Sequence, residues 1–112
     1  QITSDGRGLS QFTAKAWVSF DGTETVAIND SHNVSSLTDN GTGDYTVNFS
    51  NSLANGDYSI SVSGRENNGI SGHFMQAPHV DLPATDSFRM GQFNGTFALR
   101  DSYHAMAIVF GD

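Results

Sequence analysis

At 112 residues the chain has the length of one domain, enough to bury a single core. Twelve Asp and Glu against five Lys and Arg leave a net charge of −7, and Arg7, Lys15, Arg65, Arg89 and Arg100 are too scattered to form a basic patch, which argues against nucleic acid and against an anionic membrane. The absence of cysteine excludes disulfides, thiolate nucleophiles and Cys-ligated metal or iron–sulfur sites.

Residues 1–13 hold Asp5-Gly6-Arg7-Gly8 and little apolar periodicity, and they read as an arm or linker ahead of a single β domain over 14–112. Residues 14–20 (AKAWVSF) carry the branched and aromatic content of a strand, closed by a turn at Asp21-Gly22. Residues 25–28 predict a short second strand and 29–32 a polar connection. A hairpin follows, with residues 34–38 running into a Gly-rich turn at 39–43. Beyond it Tyr45, Val47 and Phe49 alternate with Thr46 and Asn48. The pattern recurs at Tyr58, Ile60 and Val62, and both segments open on Gly-Asp-Tyr (Gly43-Asp44-Tyr45 and Gly56-Asp57-Tyr58), which reads as a local meander.

Residues 64–72 (GRENNGISG) form a loop, residues 73–75 a short strand, and Pro78 and Pro83 bracket an edge or surface loop within 76–87. Further strands are expected over 88–90, 96–99 and 103–110. No window sustains a 3.6-residue apolar period. Eight or nine short strands at this spacing predict an all-β fold, an antiparallel β-sandwich or jelly-roll-like barrel. Trp17, Tyr45, Val47, Phe49, Tyr58, Ile60 and Val62 are expected to face its core. The last strand is apolar on both faces. It is either a central strand buried on both sides or a strand whose face bearing Met106, Ile108 and Phe110 is covered by another copy of the chain.

Catalytic chemistry finds little support. His32, His73, His79 and His104 fall in no ligand spacing, so neither a metal nor a cofactor is expected. The acidic stretch 39–44 lacks the alternation and the distal Glu of an EF-hand and reads as a hairpin turn. No Ser-His-Asp motif stands together, and no catalytic residue is assigned. Asn29, Asn33, Asn40, Asn48 and Asn94 each open an N-x-S/T triplet, as an Asn- and Ser-rich chain produces by chance. No apolar run reaches the ~20 residues of a membrane span, so no membrane insertion is expected. The chain opens on Gln1, which points to processing or to a longer parent protein.

The run from Ala14 through Asp21-Gly22-Thr23, and on through Val26-Ala27-Ile28 to Thr46-Val47-Asn48-Phe49, resembles tailed-bacteriophage virion proteins of the tail-fibre kind. The match spans about a third of the chain, and the closing Ala107-Ile108-Val109-Phe110-Gly111-Asp112 resembles the ends of such proteins. Between Ser50 and Arg100 it is loose. The resemblance implies a virion part, assembled in a bacterial cytoplasm, commonly trimeric and carried on a fibre or appendage, with no catalytic residues. The expected partners are further copies of the chain, other virion proteins and a host-surface glycan or protein. Receptor contact is expected from the loosely matching loops, through Arg65, Glu66, Asn67, Asn68, His73, Gln76 and His79, with Phe74 stacking on a sugar ring. A capsid decoration or head-fibre protein is the alternative within the virion. A free carbohydrate-binding module or small hydrolase is the alternative outside it, and it requires a cleft with paired carboxylates beside an exposed aromatic.

Overall fold

The structure, a computed structural model, describes residues 13–23, 25–65 and 74–111. Eight antiparallel strands occur among them: β1 (Ala16–Asp21), β2 (Ala27–His32), β3 (Val34–Gly41), β4 (Asp44–Phe49), β5 (Ser59–Arg65), β6 (Phe74–Gln76), β7 (Ser87–Phe93) and β8 (His104–Phe110). They form two four-stranded sheets, ordered β2-β1-β8-β5 and β3-β4-β7-β6, with no helix among the described residues. The chain is therefore an all-β sandwich. The expected arm over 1–13 lies outside the described residues except at Thr13.

Alternation places the core. In the first sheet Ala16, Val18 and Phe20 of β1 and Ala105, Ala107 and Val109 of β8 point inward and are buried. In the second, Tyr45, Val47 and Phe49 of β4 and Phe88 and Met90 of β7 do the same. Three alanines on one sheet make room for the large rings and Met90 of the other, so bulk on one layer meets small side chains on its neighbour. Of the expected core residues, Tyr45, Val47, Phe49 and Tyr58 are buried, and Ile60 and Val62 pack against the cluster half-buried. Trp17 is the exception. It lies between inward-pointing Ala16 and Val18, so the pleat turns it to the outer face of its sheet.

Other boundaries shift for identifiable reasons. Residues 29–32, expected as a polar connection, are part of β2, an exposed edge strand whose polar side chains need no burial because β1 supplies the pairing. Strand β3 extends through Gly41, leaving a two-residue turn in the hairpin. The expected meander is interrupted. Strands β4 and β5 belong to different sheets, with β5 paired to β8. Residues 96–99 form a turn rather than a strand. The Asn94 side-chain oxygen accepts hydrogen bonds from the backbone N–H groups of Thr96 and Ala98, at 2.9 and 3.0 Å, leaving only a bridge from Phe93 to Leu99.

Two corners fix the crossings between sheets. Asn33 alone joins β2 to β3 and adopts φ of +57°, a region Asn tolerates. Its amide donates to the carbonyls of Lys15 and Asn51, each at 3.1 Å, and accepts from Asn51 N–H at 2.8 Å. At one end of the sandwich the buried Tyr45 hydroxyl donates to the Gly22 carbonyl at 3.0 Å and accepts from Ser102 N–H at 3.1 Å. Gly22 must be glycine, since a Cβ there would overlap the Tyr45 ring. Burial pushes the Tyr45 pKa above its usual value, so the hydroxyl stays protonated and can donate. At the other end the Tyr58 hydroxyl reaches the carbonyls of Ala84 and Ser87, at 2.8 and 3.0 Å.

Replacing Tyr45 with Phe keeps the ring but strands the Gly22 carbonyl and the Ser102 N–H. The substitution is expected to cost about 1–3 kcal/mol, read as a lower urea midpoint at unchanged slope. An unshifted midpoint would show that this link is dispensable.

Candidate functional site

The two outer faces of the sandwich differ sharply. On the first sheet, cross-strand register aligns His32, Trp17, Ile108 and Ser61 in one row, and Asp30, Ser19, Met106 and Ser63 in the next. Beyond them Phe110 faces Ser59 at one end and His104 faces Arg65 at the other. Met106 and Phe110 are 40% and 38% exposed, and Ile108 is half-buried. The short serines of β5 beside Trp17, Ile108 and Met106 leave a shallow, mainly apolar trough of about 440 Å³. The expected interface residues Met106, Ile108 and Phe110 are thus side by side on one face. The reading of β8 as a strand buried on both sides is corrected: only Ala105, Ala107 and Val109 are covered by the second sheet.

One contact on this face has a catalytic look. Ser19 Oγ lies 3.0 Å from His104 Nε2, but the pair is exposed on an open sheet surface. Nucleophilic catalysis also needs a group that orients the base and donors for an oxyanion, set in a site that excludes water. The contact is better explained as a cross-strand polar bond between surface side chains. Among the described residues no group of three or more His, Asp or Glu could hold a metal ion.

The second sheet's outer face is polar at one side and aromatic at the other. Asn48 donates to Ser36 and Thr38 hydroxyls, and Asn40 to Thr46, forming a hydrogen-bonded ladder. Next to it Arg89 grips Asp44 with two bonds, Nε to Oδ1 at 2.8 Å and Nη2 to Oδ2 at 2.6 Å, and also reaches Asp81 at 3.3 Å. The side-chain bond from Arg89, more than any other influence, holds the Asp44 carboxyl below its usual pKa, against the opposing effect of burial. The acidic stretch 39–44 is the hairpin end where β3 passes through the turn at 42–43 into β4, and its last carboxylate is committed to this pair.

His79 lies beside the pair, 3.8 Å from Asp44, and is only 9% exposed. Its ring covers the bare backbone of Gly91, where a Cβ would meet it at 3.0 Å, and sits edge-on to Phe93. Expected as a free contact for a sugar, His79 is a packed residue instead. Phe74 stacks on Phe93, with centroids 5.2 Å apart and planes at 15°, and takes Phe97 edge-on. One face of the Phe74 ring is therefore already occupied. Arg65, Phe74 and Gln76 are exposed, whereas Glu66, Asn67, Asn68 and His73 lie outside the described residues.

The loops hold exposed apolar groups that the pattern of the chain did not single out. Val80, Leu82 and Phe97 are 72%, 86% and 77% exposed. Two of them carry backbone strain: Val80 has φ of +65° and Phe97 φ of +66°. Val80 is the centre of a γ-turn closed by Asp81 N–H to the His79 carbonyl at 2.7 Å, a strained conformation that a β-branched residue rarely adopts. No periodicity announces such residues, because their positions follow from local turn geometry. Comparison with known proteins adds no relative: no family model, no curated protein and no solved structure matches the chain.

Two outcomes follow from this face. Val80→Gly relieves the Cβ strain of the γ-turn, ~1–3 kcal/mol against a smaller entropy cost for glycine, and is expected to stabilise the domain by about 1 kcal/mol in chemical denaturation. Asp44→Asn should lower stability at neutral pH by about 2 kcal/mol, since Arg89 loses its ionic hydrogen bonds. Because the folded pKa of Asp44 is depressed, that contribution is full well above the unfolded value of 3.8 and disappears as pH falls through the folded pKa. Denaturation midpoints of the parent and the Asp44→Asn variant should therefore converge as the pH is lowered past that range. A gap that persists undiminished in acid would refute the assignment.

Proposed function

We propose that this chain is a non-catalytic virion structural domain, of the tail-fibre or appendage kind, that works as a subunit of a homotrimer and contributes to host attachment. The observation that carries the reading is the outer face of the first sheet. A Trp, an Ile, a Met and a Phe stand together there, Met106 and Phe110 exposed and Trp17 and Ile108 half-buried. Contiguous exposed apolar surface of this kind marks an interaction site. A subunit interface uses every feature of that face and needs no cofactor. It accords with the sequence resemblance to fibre proteins, in which the same strand closes the chain.

Attachment belongs to the opposite layer in this reading. The loop after β6 and the turn 94–98 place Val80, Leu82 and Phe97 in solvent on a rigid scaffold, where side chains can vary without unfolding the core. Each contact to a host glycan or protein would be weak, and trimeric presentation would supply avidity.

Light scattering on the purified chain is expected to give about three times the 12.0 kDa chain mass. Ile108→Asp should dissociate it into folded monomers, because an unpaired buried charge costs several kcal/mol. A parent protein that stays monomeric at micromolar concentration would remove the basis of the reading. Adding the assembled protein to host cells before infection should slow adsorption; undiminished adsorption would confine it to a structural role.

A further inference from the structure

The charges on the outer face of the first sheet are not randomly placed. Its two middle strands offer Trp17, Ser19, Met106 and Ile108, and β5 adds Ser59, Ser61 and Ser63, so the centre carries no formal charge. Asp21 closes β1 and Lys15 precedes it, both at the ends of the face. With histidine neutral, the remaining two charges among the described residues of this face occupy opposite margins. Asp30 is exposed on the β2 margin, and Arg65 is exposed on the β5 margin. An uncharged apolar centre inside a polar rim is the anatomy of a protein interface, and here the rim has a direction, acidic on one side and basic on the other.

That direction favours arrangements of copies in which opposite margins meet. In a closed ring of identical subunits each contact is heterologous, so one margin of a copy meets the other margin of its neighbour. If the apolar faces point to the rotation axis, the β5 margin of each copy lies against the β2 margin of the next. Strand β5 runs antiparallel to β8, which runs antiparallel to β1, which runs antiparallel to β2. The two margins are therefore antiparallel where they meet. Ser63 is in the row of Asp30, and Arg65 lies two residues further along the same face. That offset of about 7 Å is within the reach of a guanidinium.

Resting on the trimer reading above, we propose that a second copy of this chain docks on this face margin to margin, with Arg65 of one copy paired to Asp30 of the next. Trp17, Ile108 and Met106 then converge at the axis, and the serine trough of β5 receives the bulk that Trp17 and Ile108 present. Like charges would oppose each other if equivalent margins met, which disfavours that alternative.

The test uses the full chain and reads the assembly's dissociation constant by sedimentation at low and high salt. Arg65→Glu and Asp30→Lys should each raise the constant about tenfold at low salt, with the effect shrinking at high salt. The double variant should return it to within about twofold of the parent, since the pair is restored with reversed polarity. Asp86→Lys makes the same change in net charge as Asp30→Lys on an exposed loop away from this face and should leave it unchanged. Additive single effects without rescue, or single variants that assemble like the parent, overturn the proposed pairing. If those results accompany an Ile108→Asp variant that still dissociates, the face is right and its orientation wrong. If Ile108→Asp has no effect, the trimer reading itself fails.

Discussion

Each end of the sandwich is held by a tyrosine hydroxyl that crosses from one sheet to the loops of the other. Tyr45 belongs to the second sheet and bonds to Gly22 and Ser102, which flank β1 and β8 of the first. Tyr58 leads into β5 of the first sheet and bonds to Ala84, just ahead of β7 of the second, and to Ser87, which opens it. The phenol suits this place because its ring fills the core while its single polar tip satisfies backbone groups that burial would otherwise strand. Phe20 packs edge-on against Tyr45 at one end, and Phe49 and Phe88 surround Tyr58 at the other, so the same residues anchor packing and topology. Asp101 extends the first link by accepting from Gly43 N–H at 2.8 Å, which pins the β3–β4 turn to the segment before β8.

With the layers fixed in this way, the inward and outward faces of β8 answer different demands. Inward, Ala105, Ala107 and Val109 are small because the facing layer supplies the aromatic bulk. Outward, Met106, Ile108 and Phe110 are large, although Met106 and Phe110 stay exposed and Ile108 is only half-buried. Polar residues would suffice for solubility on that side, and β5 does carry serine at every outward position of its first five residues. The contrast between two neighbouring strands on one face is what gives the face its relief.

Much of the fold is legible in the chain because period-two alternation is a direct imprint of one buried face. Strand β4 shows it cleanly, and its three inward residues are all buried. Trp17 shows parity outweighing size: a large aromatic suggests core, whereas Ala16 and Val18 on either side set the inward register. The strand expected over 96–99 has suitable residues, but the Asn94 side chain captures the backbone donors first. The site is less legible than the fold. The outward apolar row of β8 is visible in the chain, whereas its alignment with Trp17 and the serines of β5 depends on pairing between segments far apart in sequence. His79 shows the converse. Its letter suggests a solvent-facing loop histidine, and only the proximity of Gly91 creates the niche that buries it.

The edges of the first sheet bear on why its face can be apolar without inviting indiscriminate association. Strand β2 is exposed along nearly its whole length, and a bare edge of that kind is a template for pairing with any extended chain. Its sequence limits that hazard, since Asn29, Asp30, Ser31 and His32 are polar and a register shift interrupts the ladder between Ser19 and Phe20. A charge on the margin, placed beside an uncharged centre, admits a partner only when that partner brings the opposite charge to the same point. Apolar surface supplies the drive to associate and says little about orientation, because it is non-directional. Orientation must come from the polar rim, and on this face the two margins carry opposite charges, Asp30 on the β2 side and Arg65 on the β5 side.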